Sequence, residues 1–140
     1  MSEIEAFLLA QHAARERGDL DAVAAGFDLP CVVVDGRETR VIPDRAGLRA
    51  LIAAGVEGIA RIGGTGSRRQ VTLVSDPDAA VVTASVKDLI HDASGAPLGT
   101  FRASYAIRRD HDGPRVAVLM IDAVPGNCCV LTRPLTELAR

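Results

Sequence analysis

Apolar residues recur at two spacings along this chain, every three or four positions in its first half and every second position in its last third. Ser2 followed by Glu5 is a capping box, so a helix is expected to start there. Ile4, Phe7, Leu8, Gln11, Ala14 and Arg15 share one face of it, and Gly18 ends it. Asp19 caps a short second helix carrying Leu20, Val23, Ala24 and Phe27, which Leu29-Pro30 stops as it opens a strand. A β-branched run over 31–34 meets Asp35-Gly36, read as a type I′ hairpin turn, and returns over 38–42. Pro43-Asp44 begins a third helix with a stripe of Leu48, Leu51, Ile52, Val56 and Ile59, broken by Gly63-Gly64-Thr65-Gly66. Four strand-forming runs follow, over 69–75, 79–90, 98–109 and 115–124, separated by turn-forming clusters.

Helices first and long strands last predict an α+β domain in which three helices pack in a strongly curved, mostly antiparallel six-stranded sheet shaped like a cone. At 140 residues the chain is expected to form one domain, with its core over 3–124 and a tail over 125–140. The tail's Val130, Leu131, Leu135 and Leu138 are expected to pack on the core or on a partner subunit. The last strand is apolar on both faces. Ala117, Leu119 and Ile121 are read as facing the helices, and Val116, Val118, Met120 and Val124 as an outer patch that predicts a homodimer through the outer face of the sheet, with Thr100, Ser104 and Arg108 as its rim.

Composition narrows the function classes. A net charge of −2, with Lys87 as the lone lysine beside fifteen arginines and no basic run longer than Arg68-Arg69 or Arg108-Arg109, gives no footprint for nucleic acid. No run approaches the length of a membrane span, and the acidic start is unlike a signal peptide, so a cytoplasmic location is expected. Cys31, Cys128 and Cys129 lack metal-type spacing and read as reduced thiols. The three histidines, His12, His91 and His111, are dispersed, so no metal and no cofactor is expected. The glycine run leaves a helix and enters a strand, the reverse of a phosphate-binding loop, and reads as a linker.

Candidate chemistry rests on carboxylates. Asp88 shares its strand phase with Val82, Ala84, Val86 and Ile90, which turns a carboxylate inward. Burial then predicts a raised pKa and a site residue; a bulge turning it to solvent, or an arginine holding it as structural glue, is the alternative. Asp122 poses the same question in phase with Val116, Val118 and Met120. Asp35 is either a general base at a cone mouth or simply the hairpin's turn residue. His12 either lines the cone beside Gln11 or lies on the surface. Phe101 and Tyr105 fall on the strand face opposite Arg102 and are candidate cone-lining residues, with Arg15 a possible partner for inward aspartates.

The order helix, short helix, hairpin, helix and meander, with Gly18-Asp19-Leu20-Asp21-Ala22-Val23 leading to Val32-Val33-Val34-Asp35, resembles the nuclear transport factor two-like superfamily over about 3–124. That superfamily includes ketosteroid isomerases and SnoaL-like polyketide cyclases as well as non-catalytic domains. The resemblance implies that Asp35 matches the isomerases' general base, whereas their oxyanion-stabilising tyrosine and protonated aspartate fall on Gln11 and Arg102. It also implies chemistry inside the cone and subunits that pair through their sheets. The expected function is binding of a small, largely apolar molecule by Gln11, His12, Arg15, Phe101, Tyr105 and Asp122, with acid–base isomerase, cyclase or dehydratase chemistry by Asp35 or Asp88. The rival is a non-catalytic dimeric carrier or assembly module with a filled cone.

Overall fold

Each helix starts where a short polar side chain can satisfy a free backbone amide. In the computed structural model, which describes residues 1–123, Ser2 Oγ accepts from Glu5 N at 3.2 Å and opens α1 (Glu3–Glu16). Asp19 accepts from Ala22 N at the start of α2 (Leu20–Ala25), and Asp44 from Gly47 N at the start of α3 (Arg45–Arg61). Gly18 and Gly63, both at positive φ, carry the chain out of α1 and α3, a backbone region that side chains disfavour.

The strands are β1 (Phe27–Val34), β2 (Thr39–Ile42), β3 (Gly66–Val74), β4 (Val81–His91), β5 (Pro97–Asp110) and β6 (Gly113–Ala123). They form one open six-stranded sheet in the order β2-β1-β6-β5-β4-β3. Every neighbouring pair is antiparallel except β1 with β6, so the sheet is mixed. The three helices and the curved sheet enclose one apolar core, in which Ile4 and Leu8 of α1, Leu48 of α3, Val33 of β1, Val82 of β4 and Ile107 of β5 have no exposed surface. The α+β cone expected from the sequence is the observed architecture. Val124 and the expected tail over 125–140 lie outside the described residues.

Four local features depart from the expectations. First, β1 begins at Phe27, four residues earlier than the β-branched run, and Phe27 is a buried strand residue, not the end of α2. Its pairing with β6 is irregular between Phe27 and Val32, the stretch holding Pro30, which has no amide hydrogen to give to a ladder. Second, the β1–β2 connection is not type I′, because neither Asp35 nor Gly36 has positive φ. Val34 pairs with Thr39 across a four-residue loop, and the Asp35 carboxylate organises it by accepting from Arg37 N at 2.8 Å and Glu38 N at 3.0 Å.

The third departure is on β6. Its register to β5 slips between Ala106–Val118 and Ile107–Val116, leaving Ala117 as the extra residue. Strict alternation would put Val116 on the outer face, but the bulge turns it inward, where it is fully buried, while Leu119 and Ile121 also face the core side. Val118 and Met120 remain half-buried. The fourth is a second slip that skips Asp122, which is exposed and accepts from Ser104 Oγ at 3.1 Å.

Candidate functional site

The helices stop short of filling the cone. Between α1, α3 and the inner face of the sheet is a cavity of about 100 Å³. Leu48, Leu51, Ile52 and Ile59 form its α3 wall, with Gly55 widening it, and Phe27, Ile90, Phe101, Leu119 and Ile121 form the sheet side. The polar lining comes from Gln11, His12 and Arg15 of α1, Arg69 of β3 and Tyr105 of β5. An apolar chamber with a few convergent polar groups is the usual form of a small-molecule site. A second cavity, about 130 Å³, lies between the end of α1, the end of α3 and Gly64 to Gly66, and shares Arg15 and Ile59 with the first.

The polar residues of the first cavity are held from behind. Gln11 Nε2 donates to Val23 O at 3.3 Å, and its amide fits only because Gly26 has no side chain, since a Cβ there would collide with it. Asp88 is fully buried directly across from Arg69 on the neighbouring strand. Arg69 donates through Nε to Asp88 Oδ1 at 2.8 Å and through Nη2 to Oδ2 at 2.9 Å, a bidentate pair. Its Nη1 reaches Leu8 O at 3.1 Å and its Nη2 the Tyr105 hydroxyl at 3.4 Å. Arg15 Nη2 donates to the same Asp88 Oδ2 at 3.0 Å. One carboxylate thus ties α1, β3 and β4 together beneath the cavity.

The expected direction of the Asp88 shift is reversed. Burial pushes this carboxyl up, as anticipated, but the hydrogen bonds and positive charges of Arg69 and then Arg15 outweigh it and hold the pKa below the ordinary value of 3.8. Asp88 is therefore a fixed anion. Arg69 is held protonated, its burial being outweighed by Tyr105 and Asp88.

A second cluster lies beside the first. His12 Nε2 is 3.0 Å from Ser67 Oγ and 3.3 Å from Glu16 Oε1. Ser67 Oγ donates to Glu16 Oε1 at 2.7 Å and accepts from Arg15 Nη2 at 3.0 Å. Burial, then the charges of Arg15 and Arg69, hold the imidazole pKa below its ordinary 6.5 against the pull of Asp88 and Glu16.

Of the eight residues singled out from the sequence, Gln11, His12, Arg15, Phe101 and Tyr105 line the cavity and Asp88 lies directly behind it. Asp35 and Asp122 are not in its lining. Asp35 closes the β1–β2 loop, where its carboxylate also accepts from Arg40 Nη2 at 3.0 Å. It does not converge with Asp88. The sequence reading missed Arg69, Ser67 and Glu16. Counted outward from the Ser75–Thr83 backbone pair, an unbroken hairpin sets Arg69 against Leu89; the bulge between Val71 and Leu73 sets it against Asp88 instead. Only the register carries that signal.

The profile of a family described as NTF2-like protein (DUF6841) matches residues 2–123. Among solved structures, an NTF-2 like protein of unknown function from Shewanella oneidensis MR-1 is 14% identical with a TM-score of 0.65, over 86% of this chain and 97% of its own. A ketosteroid isomerase-like protein from Erwinia carotovora atroseptica SCRI1043 is 18% identical with a TM-score of 0.63, over 85% of this chain and 92% of its own. Aln2 from a Streptomyces species is 19% identical with a TM-score of 0.65, over 94% of this chain and 93% of its own. At these identities the likeness is one of fold. No protein of curated function matches the sequence. No helix among the described residues is long and apolar enough to cross a membrane.

Proposed function

We propose, for a chain that belongs to the NTF2-like family described as DUF6841, that its activity is to bind a small, largely apolar organic molecule in the cavity between α1, α3 and the sheet. The observation that carries this is the division of that cavity into apolar walls from α3 and β6 and a polar side from α1, β3 and β5. At about 100 Å³ the cavity is smaller than the roughly 150 Å³ apolar cavity that accepts benzene, so a single ring would fill it. The neighbouring cavity borders it at Arg15 and Ile59, which line both.

Carboxylate-driven chemistry finds little support. Asp35 is outside the cavity lining with three donors on its carboxylate, and Asp88 is an anion held by two guanidinium groups, so neither is poised to take a proton from a ligand. The apolar lining with its few polar groups favours a cone that holds a ligand.

The test uses a built-in reporter. Tyr105 is the one tyrosine in a chain without tryptophan, and it lines the cavity. Methylcyclohexane and cyclohexanone should change its emission saturably. Gly55→Leu, which places a side chain in the cavity from a helical position that favours leucine over glycine, should abolish that response while leaving the far-UV dichroism intact. No saturable change in the wild type, or an unaltered one in the folded variant, would refute the reading.

A further inference from the structure

The His12 cluster fixes more than a position. Ser67 Oγ gives its hydrogen to Glu16 Oε1 and can therefore only accept from its other neighbours. Glu16 Oε1 is itself an acceptor, 3.3 Å from His12 Nε2. Both groups facing Nε2 thus require a hydrogen on that nitrogen. A neutral imidazole carries one hydrogen, so Nδ1 is left as a bare acceptor, and no hydrogen bond from a described residue occupies it. His12 is part of the cavity lining and its side chain is only 13% exposed.

Resting on the cavity reading above, we propose that His12 Nδ1 is the acceptor through which the cavity selects its ligand, and that the ligand class is an apolar ring bearing a weakly acidic hydroxyl, a phenol or an enol. The other polar lining groups complement this choice. Two arginines, Arg15 and Arg69, face two carboxylates, Asp88 and Glu16, so the polar side is internally balanced in charge and offers no surplus cation for an anionic ligand. Arg69 is committed to Asp88, Leu8 O and Tyr105, and Arg15 to Asp88 and Ser67. A neutral donor matched to a neutral acceptor adds no charge to a buried site. Glu16, 3.3 Å from Nε2, would also steady the imidazole if the hydroxyl shared its proton.

Glu16, Ser67 and Arg15 are positioning residues in this arrangement. The charged and titratable groups facing His12 are Arg15 and Glu16 on α1, Arg69 on β3 and Asp88 on β4, with Tyr105 of β5 bonded to Arg69. Asp88, held below its ordinary pKa, and Arg69, held protonated, keep their charge as His12 titrates.

The experiment compares p-cresol with toluene, molecules of one shape that differ by the hydroxyl, by isothermal titration calorimetry. At pH 7.5 the wild type should bind p-cresol about fivefold or more tightly than toluene, the worth of one neutral hydrogen bond. His12→Phe should erase that ratio, whereas His12→Asn, whose amide oxygen can stand near Nδ1, should restore part of it. Acidification through the His12 titration, below pH 6.5, should lower the ratio, because Nδ1 gains a hydrogen and ceases to accept. Independently of any variant, ¹⁵N chemical shifts of the wild-type imidazole should show hydrogen on Nε2, and Glu16→Gln should mix the two tautomers. Hydrogen found on Nδ1, or a cresol preference untouched in His12→Phe, overturns the proposal. Toluene binding without a cresol preference refutes this inference alone; binding of neither refutes the cavity reading with it.

Discussion

Asp35 and Asp88 are the same residue in nearly the same physical state, yet they do different work. Both carboxylates are sealed from solvent, at 1% and 0% exposure, and each is paired with an arginine, Arg40 Nη2 at 3.0 Å and Arg69 Nε at 2.8 Å. The bonds of Asp35 are local: Arg37, Glu38 and Arg40 lie within five residues, so its charge is used to close a loop. Those of Asp88 are long-range, to Arg69 and Arg15 on two other elements, so its charge holds a helix against a sheet under a cavity. Burial of a carboxylate is therefore a poor guide to its role; the elements its bonds connect decide it.

The sharpest way to break the comparison is to remove each charge in turn. Asp88→Asn should cost about 3–5 kcal/mol in urea unfolding, because it leaves two guanidinium groups facing each other with no anion between them. The double variant Asp88→Leu with Arg69→Met should cost less than that single change, since it withdraws a charge of each sign. A single-variant loss under about 1 kcal/mol would mean that the pair does not hold the cavity floor. Acid reaches the same limit by titration. A folded pKa below the unfolded 3.8 contributes stability that is complete above 3.8 and lost as pH falls through the folded value. The wild type should therefore lose stability steeply below pH 3.8, and Asp88→Asn should show a shallower slope there.

Asp35→Ala should cost less, about 2 kcal/mol. It releases two backbone amides that loop motion can expose to water, and Arg40 retains Glu38 at 3.8 Å as a counter-charge. Ligand binding by the cavity should be unchanged in that variant, in contrast with Asp88→Asn, where Arg15 and Arg69 lose their anchor. Equal effects of the two substitutions on toluene affinity would erase the distinction drawn between them.

The same contrast explains what was legible in the sequence. Strand β4 alternates without interruption over Val82, Ala84, Val86, Asp88 and Ile90, so its inward carboxylate could be read from spacing alone. The caps Ser2, Asp19 and Asp44 and the stripe of α1 are equally local and were equally readable. Bulges are not. One extra residue in β3 decides that Arg69 meets Asp88, and one in β6 turns Val116 inward, but neither Val71 to Leu73 nor Ala117 carries a glycine or proline to mark the slip. The parallel joining of β1 to β6 is a tertiary choice with no local signature. The cluster of His12, Glu16 and Ser67 spans more than fifty positions between α1 and β3 and exists only once those elements pack. His12 could be named as a candidate, but the hydrogen that Nε2 must carry could not.

The smallest effect marks the far end of the comparison. Arg108 and Asp28 also form a two-pronged contact, from Nε at 3.2 Å and from Nη2 at 2.8 Å to one carboxylate oxygen, and it joins β5 to β1 across eighty positions. By distance and reach alone it resembles Arg69 with Asp88. Solvent separates the two cases, since the Arg108 side chain is 63% exposed against 3% for Arg69. In water the Coulomb attraction is weak and screened, and the free arginine keeps its hydration and its rotamers, so breaking the pair forfeits little. Arg108→Ala should shift stability by no more than about 0.5 kcal/mol, and that small loss should shrink further in about 0.5 M salt. The Asp88 pair, shielded from counter-ions, should keep its full effect at the same ionic strength. A cost for Arg108→Ala comparable with that of Asp88→Asn would show that reach across the sheet, and not exclusion of water, is what gives an ion pair its worth in this fold.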